Sequence, residues 1–190
     1  MQVLALLGSP RKGGNSEVLL EAVTRGMTQA GGRVETIRLC ELKINPCLNC
    51  GGCDSTGECV VKDDMTALYP RILAARRIVL ASPIFFYNIT AQAKAFVDRC
   101  QALWSRQRLL RAKGEWQQDP GQKGFLLAVA ATRGAKVFDG ATLCMKYAYD
   151  AMGFLYGGDF LVKGIDRKGE MAANTMKLKE AEEAGRRFMA

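Results

Sequence analysis

The sequence predicts an α/β fold, a doubly wound five-stranded parallel sheet in one domain. Three observations carry this. Strand-like apolar runs alternate five times with segments of helical periodicity, which implies a parallel sheet with helices on both faces and right-handed crossovers. The composition, 48% hydrophobic and 24% charged, is globular. The length, 190 residues without repeat, linker or low-complexity stretch, fits one full core. Residues 1–190 are therefore one domain, with a Cys-rich loop at 40–63.

The elements follow in order. Val3 to Leu7 is a continuous apolar run, as in a strand buried on both faces. Ser16 to Ala30 has apolar residues at helical spacing and ends at Gly31-Gly32. Arg33 to Leu39 alternates as a second strand. Asp63 or Asp64 caps a helix to Ala75. Arg77 to Ala81 is a third, buried strand. Thr90 caps one long helix to about Arg111. Phe125 to Ala130 is the fourth strand, Phe138 to Met152 a helix and Phe154 to Val162 the fifth strand. Thr175 to Phe188 closes the chain as a plain, polar surface helix. In such sheets ligands bind beyond the carboxyl ends of the strands, so the loops near Gly8, Ser82 and Ala131 matter most.

Composition removes several chemistries. The chain has seven cysteines and no histidine. Ser-His-Asp and Cys-His nucleophile systems and histidine-containing zinc sites are excluded within it, so the chemistry falls to a borrowed cofactor. The odd cysteine count and the short apolar stretch Val3–Gly8, unlike a signal peptide, point to a reducing, cytoplasmic setting. No apolar run approaches the roughly 20 residues of a membrane span. The formal charge of +8 suits an acidic protein or a phosphorylated cofactor, or is a plain solvated surface.

The first loop, GSPRKGGNS, joins a strand to a helix and aims free N–H groups and the helix dipole at one point. That point favours a phosphate, with Ser9, Asn15 and Ser16 as side-chain donors and Arg11 as a charged one. The Walker lysine and the dinucleotide fingerprint are both missing, which leaves a phosphate monoester, or only a capped helix. The third loop, SPIFFYNITAQAKAFVDR, places Phe85, Phe86 and Tyr87 beyond strand three. Three aromatic side chains there suit a flat apolar ring such as a flavin, with Asn88 and the backbone supplying polar contacts. Packing beneath the next helix or in a subunit interface is the other reading. PCLNCGGCDSTGEC spaces Cys47, Cys50, Cys53 and Cys59 as an iron–sulfur run would, with zinc and free thiols as alternatives. Cys40, Cys100 and Cys144 stand alone and are read as packing residues.

Together the two loops resemble the NADPH-dependent FMN reductase and iron–sulfur flavoprotein families over most of residues 1 to 155. The resemblance implies a flavodoxin-like fold and one FMN per subunit. It places the FMN phosphate on Ser9, Arg11, Asn15 and Ser16. It sets the isoalloxazine against Pro83, Ile84, Phe85, Phe86, Tyr87 and Asn88, where the family often has tyrosine in place of Phe85. Thr132 and Arg133, after strand four, complete the pocket by a looser match. The cysteine spacing is similar to that of iron–sulfur flavoproteins, which implies a 4Fe–4S cluster on Cys47, Cys50, Cys53 and Cys59. The implied function is an FMN-dependent oxidoreductase taking electrons from a ferredoxin-like carrier, or from NAD(P)H in a cluster-free reductase, and passing them to a small-molecule acceptor. The resemblance also implies a homodimer or homotetramer, with the cluster near a neighbouring subunit's flavin. A non-enzymatic zinc or thiol sensor is a third reading. Arg99, Arg106, Arg108, Arg111 and Lys113 make the third helix basic, but no nucleic-acid-binding motif accompanies them; the resemblance implies that this helix supports oligomers, and a docking face for an acidic carrier is the other functional option.

Overall fold

The computed structural model describes residues 1–190. Its strands are β1 (Gln2–Leu7), β2 (Arg33–Arg38), β3 (Arg77–Pro83), β4 (Lys123–Ala130) and β5 (Leu155–Lys163). All pair in parallel, in the order β2-β1-β3-β4-β5. That order is the flavodoxin-like one, and it reverses direction between β1 and β3. The helices are α1 (Asn15–Gln29), α2 (Met65–Ala74), α3 (Ala91–Arg99), α4 (Gln101–Ala112), α5 (Asp139–Met152), α6 (Glu170–Ala173) and α7 (Thr175–Met189).

The alternation of side chains along each strand splits the core in two. Leu4, Leu6, Ile78, Leu80, Leu126 and Ala128 face α2 to α5. Val3, Ala5, Leu7, Val79, Leu127 and Val129 face α1, α6 and α7. β5 is an edge strand, and its half-exposed residues keep it less apolar than β1, β3 and β4. No helix is long and apolar enough to cross a membrane.

Three features depart from the sequence reading. The long third helix is two helices, broken at Cys100. The Tyr69 hydroxyl donates to the Arg99 carbonyl (2.9 Å), while the Leu103 N–H turns to Cys100 O instead (2.9 Å). A side chain from α2 thus takes a carbonyl that an unbroken helix would have used. The final helix is also more than a surface helix. α7 buries Ala181, Ala184, Gly185, Phe188 and Met189, and crosses α1 at Gly185 and Gly26. A methyl at either glycine would meet the other helix's backbone, at the Val23 or Glu182 carbonyl. Buried Arg77 holds the end of α7, donating from Nε to the Phe188 carbonyl (3.0 Å), where a cation suits a helix C-terminus. Third, the short helix α6 follows β5, where the sequence reading had no element.

Candidate functional site

The strand order brings the ends of β1, β3 and β4 side by side. Leu7 pairs with Ala81, and Pro83 with Val129. A cleft of about 170 Å³ opens there. Ser9, Arg11, Asn15 and Ser16 line one wall; Pro83, Ile84 and Phe85 line another; Val129 comes from β4 and Ala131 follows it. The structure therefore gathers most of the residues expected from the first and third loops.

Thr90 fixes the loops to each other. Its hydroxyl donates to Gly8 O (2.6 Å) and caps α3 by accepting from the Ala93 N–H, and its own N–H reaches the Ser82 hydroxyl. A Cβ at Gly8 would stand 2.9 Å from Ala93 Cβ, so glycine permits this close approach. The first loop is shaped from the other side by Glu17. Its carboxylate accepts the Gly13 N–H (2.7 Å) and pairs with Arg38 (2.6 Å). Burial works to raise the Glu17 pKa, but the Arg38 and Gly13 hydrogen bonds prevail and hold it below its ordinary value.

What faces the cleft is a set of donors without partners. The N–H groups of Gly14, Asn15 and Ser16 make no hydrogen bond within the chain, nor does the Ser16 hydroxyl or the exposed Arg11 guanidinium. A Cβ at Gly14 would meet the Arg11 carbonyl at 3.0 Å, so glycine keeps that approach open. Unpaired N–H groups at a helix start, beside a free cation, are the chemistry a phosphate monoester needs. The Asn15 side chain serves differently from expectation. Its Nδ2 donates to the carbonyls of Asp166 (3.4 Å) and Arg167 (3.0 Å), and its Oδ1 accepts the Met171 N–H (3.2 Å). It ties down the loop after β5, leaving only its backbone N–H for an anion. That tie brings Ile165 and Asp166 into the cleft, which the sequence did not single out.

The aromatic loop is a tight turn. Phe85 and Asn88 exchange backbone hydrogen bonds (2.9 and 3.0 Å), with Phe86 at φ 49° and Tyr87 at φ 65°. Two positive φ values make it type I′ in form, a geometry that ordinarily calls for Asn or Gly. Phe85 lines the cleft; Phe86 is wholly exposed and Tyr87 half so. The Asn88 side chain accepts from the Ile89 N–H. Thr132 and Arg133 do not line the cleft, and the Arg133 guanidinium lies over Gly164. A larger hollow of about 830 Å³ lies against β5 and α5, but it is shallow and holds no predicted residue. Its three lysines are also engaged: Lys163 donates to the Gly134 carbonyl, Lys177 pairs with Glu180, and Lys146 lies over the Tyr156 ring.

The cysteine run forms a second site. Cys47, Cys50, Cys53 and Cys59 all line one cavity of about 140 Å³ with Arg99, Gln101 and Ala102. No three His, Cys, Asp or Glu side chains stand close enough to share a single ion. The loop curls through positive φ at Asn49, Gly51 and Gly57. α4 supports it: Gly57 packs on Arg106, Arg108 donates to the Asp54 carbonyl (2.6 Å), and Cys53 meets the Ser105 hydroxyl (3.5 Å). The basic face of the former third helix thus braces the cysteine loop. Cys100 is buried, which pushes its thiol pKa up. Cys40 is half-buried and donates to the Ser9 carbonyl (3.5 Å), so it also touches the first loop.

Comparison with known proteins agrees with this geometry. An iron–sulfur flavoprotein of Archaeoglobus fulgidus is 41% identical over 99 residues, which cover 52% of this chain and 45% of that protein. The matches to other iron–sulfur flavoproteins cover 53% and 59% of their lengths, so the chain spans about half the length of the curated relatives it matches. An NAD(P)H:quinone oxidoreductase from Methanothermobacter marburgensis superposes with a TM-score of 0.71 at 18% identity, over 100% of this chain and 96% of that one. An archaeal flavodoxin superposes at 0.57 with 16% identity, again over 100% and 96%. These two likenesses establish a flavodoxin-like fold. The family described as NADPH-dependent FMN reductase matches residues 1–151. The chain belongs to that family of flavin-dependent oxidoreductases.

Proposed function

We propose that this protein is an FMN-dependent oxidoreductase of the iron–sulfur flavoprotein kind. The observation that carries the reading is the single cleft built from the ends of β1, β3 and β4, with unpaired donors at one wall and Pro83, Ile84 and Phe85 at another. The N–H groups of Gly14, Asn15 and Ser16, with Ser16 Oγ and Arg11, would hold the FMN phosphate. Pro83 to Phe85 would border the ring, and Phe86 to Asn88 would shape its outer edge. Thr132 and Arg133 would close over it only if the loop after β4 moves inward. Bound FMN supplies one- and two-electron exchange, and the chain's residues orient it and exclude water.

The four thiols would hold a 4Fe–4S cluster. They line one cavity that buried Arg99 also borders, and a cation there suits an anionic cluster. The electron source would be a ferredoxin-like carrier and the acceptor a small molecule. The protein would work in the cytoplasm as a homodimer or homotetramer. The family description favours a second reading, in which NAD(P)H reduces the flavin directly and no cluster takes part.

An anaerobic absorption spectrum of fresh protein, with iron, sulfide and zinc assays, tests the reading. Flavin bands with iron and sulfide are expected. Flavin alone, with steady NADPH oxidation, would move the assignment to the cluster-free reductase. Zinc without flavin would defeat both.

A further inference from the structure

The base of the cysteine loop is held by one buried ion pair. Arg99 and Asp63 meet at 2.7 Å with side chains only 1% and 5% exposed. Their hydrogen bonds reach both ends of the cysteine run. Arg99 Nη1 donates to the Asn45 carbonyl (2.9 Å), before Cys47, and Nη2 donates to the Val61 carbonyl (3.1 Å), after Cys59. Asp63 accepts from the Asn45 N–H (2.9 Å) and the Met65 N–H (3.0 Å). The two strands of the loop are therefore stapled by side chains, without any metal.

Such a staple is costly without a use. Burying an arginine and a carboxylate carries a desolvation penalty that their mutual attraction only partly offsets. Four hydrogen bonds to backbone groups add to the offset, yet one donor is left over: Arg99 Nε is buried and makes no hydrogen bond. The same residue lines the four-thiol cavity. Tyr69, whose hydroxyl donates to the Arg99 carbonyl, lines a neighbouring hollow together with Cys59. No other buried cation borders the cavity.

We propose that Arg99 is a positioning residue with two parts in the cysteine site: it closes the loop before anything binds, and it supplies the positive charge that offsets the contents of the cavity and raises their reduction potential. The charge half rests on the cluster reading above; the closure half stands on the hydrogen bonds alone. A planar fork is needed to reach Asn45 and Val61 together, so lysine would keep the charge and lose the closure.

Two measurements on the whole 190-residue chain test this. The first is hydrogen exchange of the metal-free protein. In Arg99→Met, amides between residues 45 and 65 should exchange at least about tenfold faster, with those of β1, β3 and β4 unchanged. Unchanged exchange in the loop would overturn closure. The second is a potentiometric titration after anaerobic reconstitution with ferrous iron and sulfide. Arg99→Lys should keep a midpoint close to wild type. Arg99→Met should lower it by a tenfold change in the reduction equilibrium, about 59 mV for one electron. An unmoved midpoint in the methionine variant would overturn the charge assignment. Should Arg99→Met fail to fold because Asp63 is left unpaired, Arg99→Met combined with Asp63→Asn removes both buried charges and carries the same tests. If the wild-type chain takes up no iron and sulfide, the cluster reading and the charge half fall together, and exchange still decides closure.

Discussion

Arg11 stands at the mouth of the first cleft with no partner in the chain, so its removal separates binding from folding. A hydrogen bond to a charged group is worth about 1.5–3 kcal/mol. Arg11→Ala should therefore weaken FMN binding roughly 10- to 100-fold in a fluorescence titration and leave the urea midpoint in place. An equal loss in both would mean that Arg11 is structural. Asp63 gives a prediction of the opposite kind. Burial works to raise its pKa, but the Arg99 hydrogen bond and the Asn45 and Met65 N–H groups outweigh burial and hold it below its ordinary value. A carboxylate whose folded pKa is depressed adds stability above its unfolded pKa, about 3.9, and loses it as the pH falls through the folded value. Urea midpoints measured from pH 6 downward should therefore drop below about pH 4, and Asp63→Asn should flatten that drop. At this scale the sequence was legible wherever a residue acts through its neighbours in the chain. That Ser9 and Ser16 would come to one cleft was readable from a strand–glycine–helix junction, and that the four cysteines would come to one cavity was readable from their spacing. Asn15 was not, because its partners lie some 150 residues away and only the folded chain makes them neighbours.

Among the elements, β1 and β3 could be read from apolar runs because both faces of each are buried. The break between α3 and α4 could not. Nothing in the run from Thr90 to Arg111 is unsuited to a helix; the cause, Tyr69, sits on α2. The crossing of α1 and α7 was hidden for a similar reason, since Gly26 and Gly185 look like weak points until the two helices touch. Gly185→Ala sets two effects against each other. Alanine raises helix propensity by about 1 kcal/mol, whereas overpacking costs about 1–3 kcal/mol. The obstruction is the Val23 carbonyl, which cannot swing aside as a side chain would, so the clash should win. Thermal unfolding should fall by about 2–4 °C for each kcal/mol lost. An unchanged or higher Tm would show that the helices can separate freely.

For the whole molecule, the net charge of +8 and the cationic brace around the cysteine loop would attract the proposed electron carrier if that carrier is acidic. Attraction of that kind acts on the encounter rate and is screened by salt, with a Debye length of about 8 Å at physiological ionic strength. Flavin reduction by an acidic ferredoxin should slow several-fold between low and physiological salt, while reduction by dithionite should show a much weaker dependence. Equal responses would argue against a charged docking face. The parallel, doubly wound sheet of five strands was legible at this scale because strand and helix alternate five times, whereas the order of the strands was not read from that alternation. The loop after β5 was not, since its place in the cleft depends on the tie to Asn15.

The turn at Phe86 and Tyr87 has one more consequence. Each residue holds a left-handed backbone that L-residues with large side chains avoid, at a cost of about 1–3 kcal/mol. Phe86 recovers none of it through contacts, since its ring meets only solvent in the single chain. Replacing the pair by Asn-Gly, the combination that suits such a turn, should raise the melting temperature while impairing turnover. If Phe86 borders the flavin as proposed, the most heat-resistant form of this protein would then be a poorer catalyst than the natural one, and a screen for thermostability alone would discard that ring.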